Sequence, residues 1–391
     1  MKVGLINFHF SNNFGAILQC LALKKYITKK GNEVIVVDYQ PEYIVQQQSP
    51  FPNPITYGSW AAHEYENASL INKWFHIFKR SAHAIYQWKD AIKSKKRNSV
   101  FKKYMQRTLV LSKTYKTYKD LESNPPICDV YISGSDQVWN PKVTRADLDE
   151  AYFLRFAPNG KKRIAYAVSP CQLDVDKYQH KLKTYLADYD MISLREKELL
   201  TELKEVSGKD MCVCIDPTLL LKAEDYEEYE IVPVDIPEEY ILVYGFKDGN
   251  RPKLLGQIAD YISQKTKLPI IDISLEQVYV PKYARAKKTV SPGEFLGYIK
   301  KATYVITNSF HGTAFSIIFH KNLWSLEKAV TASRVRELMT VAGLEDRLIS
   351  KFDVQKIEKG LSNNIDYGQV EEKIGTLVKS SKDYLDRALE K

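Results

Sequence analysis

The sequence lacks the signatures of several large enzyme classes. It has no HExxH histidine pair, no GxxxxGK[ST] phosphate loop, no GxSxG nucleophile turn and no CxxC. Metal hydrolases, P-loop enzymes and serine hydrolases therefore lose their usual basis. Cysteine is scarce. Cys20, Cys128, Cys171, Cys212 and Cys214 are odd in number and have no metal-ligand spacing, so they read as buried thiols of a reducing cytoplasm. Cys212 and Cys214 lie two apart in an apolar, strand-like run, which points their side chains the same way. No apolar run reaches the ~20 residues of a membrane helix. The opening MKVGLINFHF is interrupted by Asn7 and His9 and lacks a signal peptide's apolar stretch and cleavage site. The chain reads as soluble and cytoplasmic, with no low-complexity segment and no internal repeat.

What is present is an ordinary globular balance, 44% hydrophobic and 27% charged, over 391 residues. That length implies two domains. The net charge of +9 suits an anionic substrate, a nucleic acid or an anionic membrane surface. The basic residues are spread along the chain, with one denser cluster at 89–107. That cluster reads as a solvated surface helix, with docking on anionic lipid at the inner face of the membrane as the alternative. No recognised nucleic-acid-binding motif is present, so no nucleic-acid partner is expected.

Apolar runs of strand length alternate with helical periodicity. Residues 2–8, 33–39, 163–168, 190–194 and 212–215 read as strands of a first half. Residues 240–246, 269–274, 303–307 and 323–326 read as strands of a second. Continuous apolar strands joined by helical crossovers imply parallel sheets covered on both faces. The fold class is therefore α/β, with two Rossmann-like doubly wound domains facing a cleft. The expected boundaries are 1–221 and 222–391. An insertion of helices and loops is expected at about 41–126, and the last helix is expected to pack back on the N-terminal domain. The acidic, Pro-containing stretch 221–239 is the candidate linker. Ligands of such folds sit at the carboxyl ends of the strands.

Four strand-to-helix loops carry candidate chemistry. In HFSNNFGA (9–16), Asn13 and Gly15 open a helix, where backbone amides suit an anion and Asn12 or Asn13 suits a cap. In ISGSDQVWN (132–140), Gly134 permits close approach to the backbone, Ser135 can donate to phosphate, Asp136 can act as acid or base, and Trp139 offers a stacking face for sugar. A Gly-Ser turn with an Asp cap is the structural alternative. In ISLREKE (192–198), Arg195 directly follows an apolar strand and suits a carboxylate or phosphate. An ion pair with Glu196 or Glu198 explains it equally well. In VITNSFHGTAFSIIFHK (305–321), Asn308, Ser309, His311, Gly312 and Thr313 gather at a helix start, which favours anions. His311 reads as the only histidine between an apolar strand and a Gly-containing helix start, and imidazole exchanges protons near neutrality.

In this order, NNFGA, GSDQVWN, SLREKE and TNSFHGTAFS resemble the polysaccharide pyruvyl transferase family, as does the later SRVRELMTVAGLEDRLI. The resemblance covers most of the chain and is weakest over 41–126. It implies a glycosyltransferase B-like fold and transfer of a pyruvyl group from phosphoenolpyruvate to a sugar hydroxyl of a polysaccharide precursor, as a ketal. It implies that Arg195 contacts phosphoenolpyruvate. It also implies a second anion-binding Arg two residues before His311, where this sequence has Ser309. Arg334 or Arg336 is the candidate replacement. The expected catalytic pair is His311 and Asp136. Arg195, Ser309, Asn308, Gly312, Thr313, Gly134, Ser135, Asn13, Gly15, Trp139 and Arg334 are expected at the substrates. No metal and no cofactor is demanded, because phosphoenolpyruvate is the donor substrate. The partner is a sugar acceptor, with a lipid-linked glycan open. A nucleotide-sugar-dependent glycosyltransferase and a non-catalytic glycan-binding accessory protein are the competing readings.

Overall fold

A computed structural model describes residues 1–59, 68–144, 147–246, 251–275, 280–327 and 332–390. Residues 60–67 of the expected insertion lie outside the described residues. The chain divides into two compact units, Met1–Pro217 with Ser381–Lys391, and Thr218–Ser380.

The first unit opens β1 (Lys2–Ile6), α1 (Phe14–Lys29), β2 (Glu33–Val36). The α1 helix starts on Asn13, whose side chain accepts from Gly15 N, and the chain turns out of it at Gly31, where φ is +79°. The insertion supplies α2 (Glu42–Gln48), α3 (Pro54–Ser59), α4 (Leu70–Gln87), α5 (Ala91–Thr108) and α6 (Tyr118–Ser123). Then follow β3 (Val130–Ser133), β4 (Lys162–Val168), α7 (Val175–Ala187), β5 (Met191–Leu194), α8 (Leu200–Ser207) and β6 (Met211–Val213). The sheet order is β2-β1-β3-β4-β5-β6, with every pair parallel. Strands β1 and β3 are buried almost throughout, which explains why their sequences are apolar runs and not alternations. The apolar runs at 2–8 and 33–39 overshoot β1 and β2 by two or three residues, and the overshoot forms the loops at the carboxyl ends.

The second unit contains β7 (Ile241–Tyr244), α9 (Arg251–Thr266), β8 (Ile270–Asp272), β9 (Arg285–Ala286), α10 (Pro292–Lys301), β10 (Tyr304–Thr307) and α11 (Phe310–Ile318). It continues through β11 (Asn322–Leu326), α12 (Ala332–Val341), β12 (Leu348–Ile349), α13 (Val354–Ser362) and α14 (Tyr367–Ala388). Its sheet is also all parallel, in the order β12-β11-β10-β7-β8-β9. From Ser381 onward, α14 belongs to the first unit. There Ser381 Oγ accepts from Ile215 N at 2.8 Å, and Tyr384 Oη donates to Ala165 O at 2.9 Å.

The acidic stretch expected as a linker is packed. Tyr226 is fully buried with its ring edge-on to Phe315 at 5.1 Å, and its hydroxyl donates to Thr218 O. The segment lies so close to α10 that a Cβ on Gly297 would come within 2.5 Å of Ile231 O. Its carboxylates obscured the few side chains that anchor it.

Both sheets reverse direction at their first strand. In the first unit the chain goes from β1 to β2 on one side and then to β3 on the other. In the second it goes from β7 through β8 and β9 and returns to β10 on β7's other side. Such switch points open a crevice beyond the strand ends where ligands of α/β sheets bind.

Candidate functional site

The switch point of the first unit brings the loop after β1 beside the loop after β3. Asp38, just past β2, accepts from His9 Nε2 at 3.0 Å, from Gln40 Nε2 at 2.7 Å and from Thr114 Oγ1 at 2.5 Å. Both members of the His9–Asp38 pair are buried. Burial alone would raise the Asp38 carboxyl's pKa, but the hydrogen bonds from His9, Thr114 and Gln40 together outweigh it and hold the group below its ordinary value. Sequence reasoning missed this pair by treating His311 as uniquely placed. His9 also stands between an apolar strand and a Gly-containing helix start. Its partner is 29 residues away, and only the parallel β1–β2 register makes them neighbours.

Beside the pair lies a cavity of ≈ 470 Å³. Phe10, Phe101 and Met105 form apolar wall, and Asp38, Gln40, Gln48, Asn98, Lys102 and Thr114 present polar groups. The insertion thus supplies one side of the cavity through α2 and α5. Asn12 Nδ2 donates to Asn98 Oδ1 at 2.6 Å, and Asn98 Nδ2 donates to Gln48 O at 2.8 Å, tying the β1 loop to both elements.

Replacing Asp38 with alanine is expected to cost about 1–3 kcal/mol at pH 7, because it strands the buried His9 imidazole. The folded pKa of Asp38 is depressed, so its contribution is present above the ordinary carboxylate range. It is lost as pH falls through the folded value. Urea unfolding of both proteins should show a gap at pH 7 that shrinks below about pH 4. A gap independent of pH would assign the loss to packing.

Arg195 occupies the carboxyl end of β5, but its guanidinium is enclosed. Nε lies 3.1 Å from Glu196 Oε1, Nη1 3.0 Å from Asp216 Oδ2 and Nη2 3.8 Å from Asp136 Oδ1. Ser135 Oγ donates to the same Asp216 oxygen at 3.2 Å. Burial disfavours the charged guanidinium, yet Glu196, Asp216 and Asp136 overcome it and drive the pKa above arginine's ordinary value. One cation against three carboxyl groups is a poor receptor for a phosphate-bearing anion. Of the three, Asp136 has the most exposed side chain, at 14%. It holds a left-handed φ of +82°, a strained conformation that Asp tolerates better than most residues. Asp136 O accepts from Ser169 N at 2.9 Å, which fixes the turn.

Three other residues of these loops serve packing. Trp139, expected as a stacking face for sugar, is a core residue. It is 1% exposed, its ring is stacked on Phe153 at 4.8 Å, and Nε1 donates to Tyr152 O. Gly134 admits close packing of its own chain, since a Cβ there would lie 3.1 Å from Leu5 Cδ1 and 3.3 Å from Asn7 Cβ. Asn13 caps α1 through Gly15 N at 2.9 Å. Cys212 and Cys214 do share a side, with Sγ atoms 4.0 Å apart.

At the switch point of the second unit, Asn308 clamps the loop after β7, accepting from Phe246 N at 2.8 Å and donating to Phe246 O at 2.9 Å. Ser309 is the N-cap of α11, its hydroxyl accepting from Gly312 N. Gly312 lets α11 sit directly on the sheet, because a Cβ there would collide with Thr307 Oγ1. Thr313 Oγ1 donates to Ser309 O at 3.0 Å and bonds to Ser325 Oγ. His311 is buried in the first turn of this well-fixed helix, edge-on to Phe310. Arg334, on α12, is 9% exposed, whereas Arg336 is exposed and reaches Glu327 Oε1 at 2.5 Å. Of the two candidate replacement cations, Arg334 is therefore the buried one.

A family model described as "Polysaccharide pyruvyl transferase" matches residues 13–327. Against curated proteins the sequence finds no match. Among solved structures, UDP-GlcNAc 2-epimerase from Methanocaldococcus jannaschii aligns at 12% identity over 97% of this chain and 100% of that one, with a TM-score of 0.50. UDP-N-acetylglucosamine 2-epimerase from Rickettsia bellii aligns at 14% identity over 100% and 99%, with a TM-score of 0.48. The likeness to the Methanocaldococcus jannaschii structure is one of fold and agrees with two Rossmann-like α/β units.

Proposed function

Because the chain belongs to the polysaccharide pyruvyl transferase family, we propose that it moves a pyruvyl group from phosphoenolpyruvate to a sugar hydroxyl, with closure to a ketal. The observation that carries this reading is the family match across residues 13–327. The buried histidine at the start of α11 supports it.

The proposed chemistry needs an anion site, an acid and a base. Donor anchoring falls to the second unit. The enclosure of Arg195 by three carboxyl groups argues against it as a direct donor ligand. The start of α11 and the Arg334 guanidinium have the right charge. His311 delivers the proton to the methylene carbon of phosphoenolpyruvate, which leaves an oxocarbenium-like centre at C2. Asp136, the outermost carboxyl of its cluster, takes the proton of the attacking hydroxyl. Phosphate leaves, and a second hydroxyl of the same sugar closes the ketal. Of the two hydroxyl protons, one replaces that used to make the methyl group and the other departs with phosphate.

The test is phosphate release from phosphoenolpyruvate by the purified chain, with galactosides, mannosaminides and lipid-linked glycan extracts as acceptors. The expected result is acceptor-dependent release and a product heavier by one pyruvyl ketal. Absence of release across the panel, with melting unchanged by phosphoenolpyruvate, would overturn the donor assignment and direct the assay to nucleotide sugars.

A further inference from the structure

The α4 helix turns its apolar face outward. Ile71, Trp74, Phe75, Phe78 and Ile85 recur at helical spacing and are 81%, 70%, 62%, 74% and 51% exposed. Its narrow inward side is held by the preceding segment. Ser81 Oγ donates to Pro54 O at 2.8 Å, Arg80 lies over the Tyr57 ring at 5.5 Å, and Ala84 is buried. An amphipathic helix ordinarily buries its apolar stripe, and exposed apolar patches of this kind mark interaction sites.

The charge of the same segment identifies the partner. Residues 70–108, which span α4 and α5, contain eleven Lys or Arg and a single carboxylate, Asp90. This segment therefore accounts for the whole of the chain's +9 excess. Trp88, at the end of α4, is 42% exposed, and Lys89 lies over the Tyr86 ring at 3.3 Å. Aromatic and aliphatic side chains on one face, with cations and almost no anions around them, are the composition of a helix lying in the headgroup region of an acidic bilayer. A second copy of the chain is a poor occupant, because apposing two such faces would bring two strongly basic segments together. Among the described residues no helix is long and apolar enough to cross a membrane, so the contact is peripheral.

We propose that α4, supported by the basic α5, docks this protein on an anionic phospholipid surface, with Trp74, Phe75 and Phe78 inserted at the interface. From sequence alone the basic docking candidate is 89–107. The structure moves the apolar contact to the preceding helix and leaves 89–107 as its electrostatic flank. This inference is independent of the transferred group.

The test is co-sedimentation of the full chain with phosphatidylcholine vesicles, with and without phosphatidylglycerol. Binding is expected only to the anionic vesicles and should weaken with salt. The triple variant Trp74→Ser, Phe75→Ser, Phe78→Ser should lose at least about tenfold in partitioning. So should Lys93→Glu, Lys95→Glu, Lys96→Glu. Circular dichroism melting, unchanged in both, would show that the fold is intact. Wild-type protein that ignores anionic vesicles at low salt would overturn the proposal, as would a triple serine variant that binds as wild type does. So would a wild-type dimer that the serine variant dissociates, since the face would then join two copies.

Discussion

Replacing Arg195 with alanine is expected to lower the unfolding free energy by about 3–5 kcal/mol, the usual cost of removing one partner from a buried ionic cluster. Asp216 is 1% and Glu196 4% exposed, and the Arg195 guanidinium is ion-paired with both. Its removal leaves two carboxyl groups with little access to water, and also loosens Asp136, whose left-handed turn faces the same cation. Urea unfolding near neutral pH measures the loss directly. A lysine at this position should recover only part of it, because an ammonium cannot reproduce three nitrogens directed at three carboxyl groups. An alanine variant that keeps wild-type stability while losing turnover would show that Arg195 is an open donor arm. Loss of activity in this variant is therefore uninformative unless stability is measured beside it.

Replacing His311 with glutamine should have the larger effect on catalysis. If His311 supplies the proton to the donor, kcat should fall about 10²–10⁴-fold, and the limb of the pH–rate profile belonging to the catalytic acid should disappear. Melting should change little. The first turn of α11 is held by the Ser309 cap, by Thr313 and by the close seat of Gly312 on β10, none of which requires the imidazole. The measurement is steady-state phosphate release across pH, with thermal melting of the same preparations. A variant with wild-type kcat and an unchanged pH profile would remove His311 from the chemistry.

The two residues illustrate what can be read from a chain. Arg195 and His311 both follow apolar strands, and strand-then-loop patterning placed both at carboxyl ends correctly. For Arg195 the sequence also offered pairing with the adjacent Glu196, and that pair forms. Asp216 and Asp136, its other two neighbours, lie at the ends of β6 and β3, separated in sequence but drawn together by the sheet. Trp139 fails for a related reason. An aromatic beside polar residues in a loop resembles a sugar platform until Phe153 is found stacked on it.

The sequence by itself determined the alternation of strand and helix, the parallel character of both sheets and the loops in which polar side chains collect. These follow from local periodicity and from the two-sided burial of a parallel strand. Only the tertiary structure decided which polar groups are already committed to one another. It paired His9 with Asp38 across β1 and β2, enclosed Arg195, and placed the sheet reversals beside the loops after β1 and β3 and after β7 and β10. It also decided which side of α4 is covered. A helical stripe shows from sequence that an apolar face exists. Whether that face meets a core or the surroundings depends on packing against elements far along the chain. Periodicity within one helix carries no information about that packing.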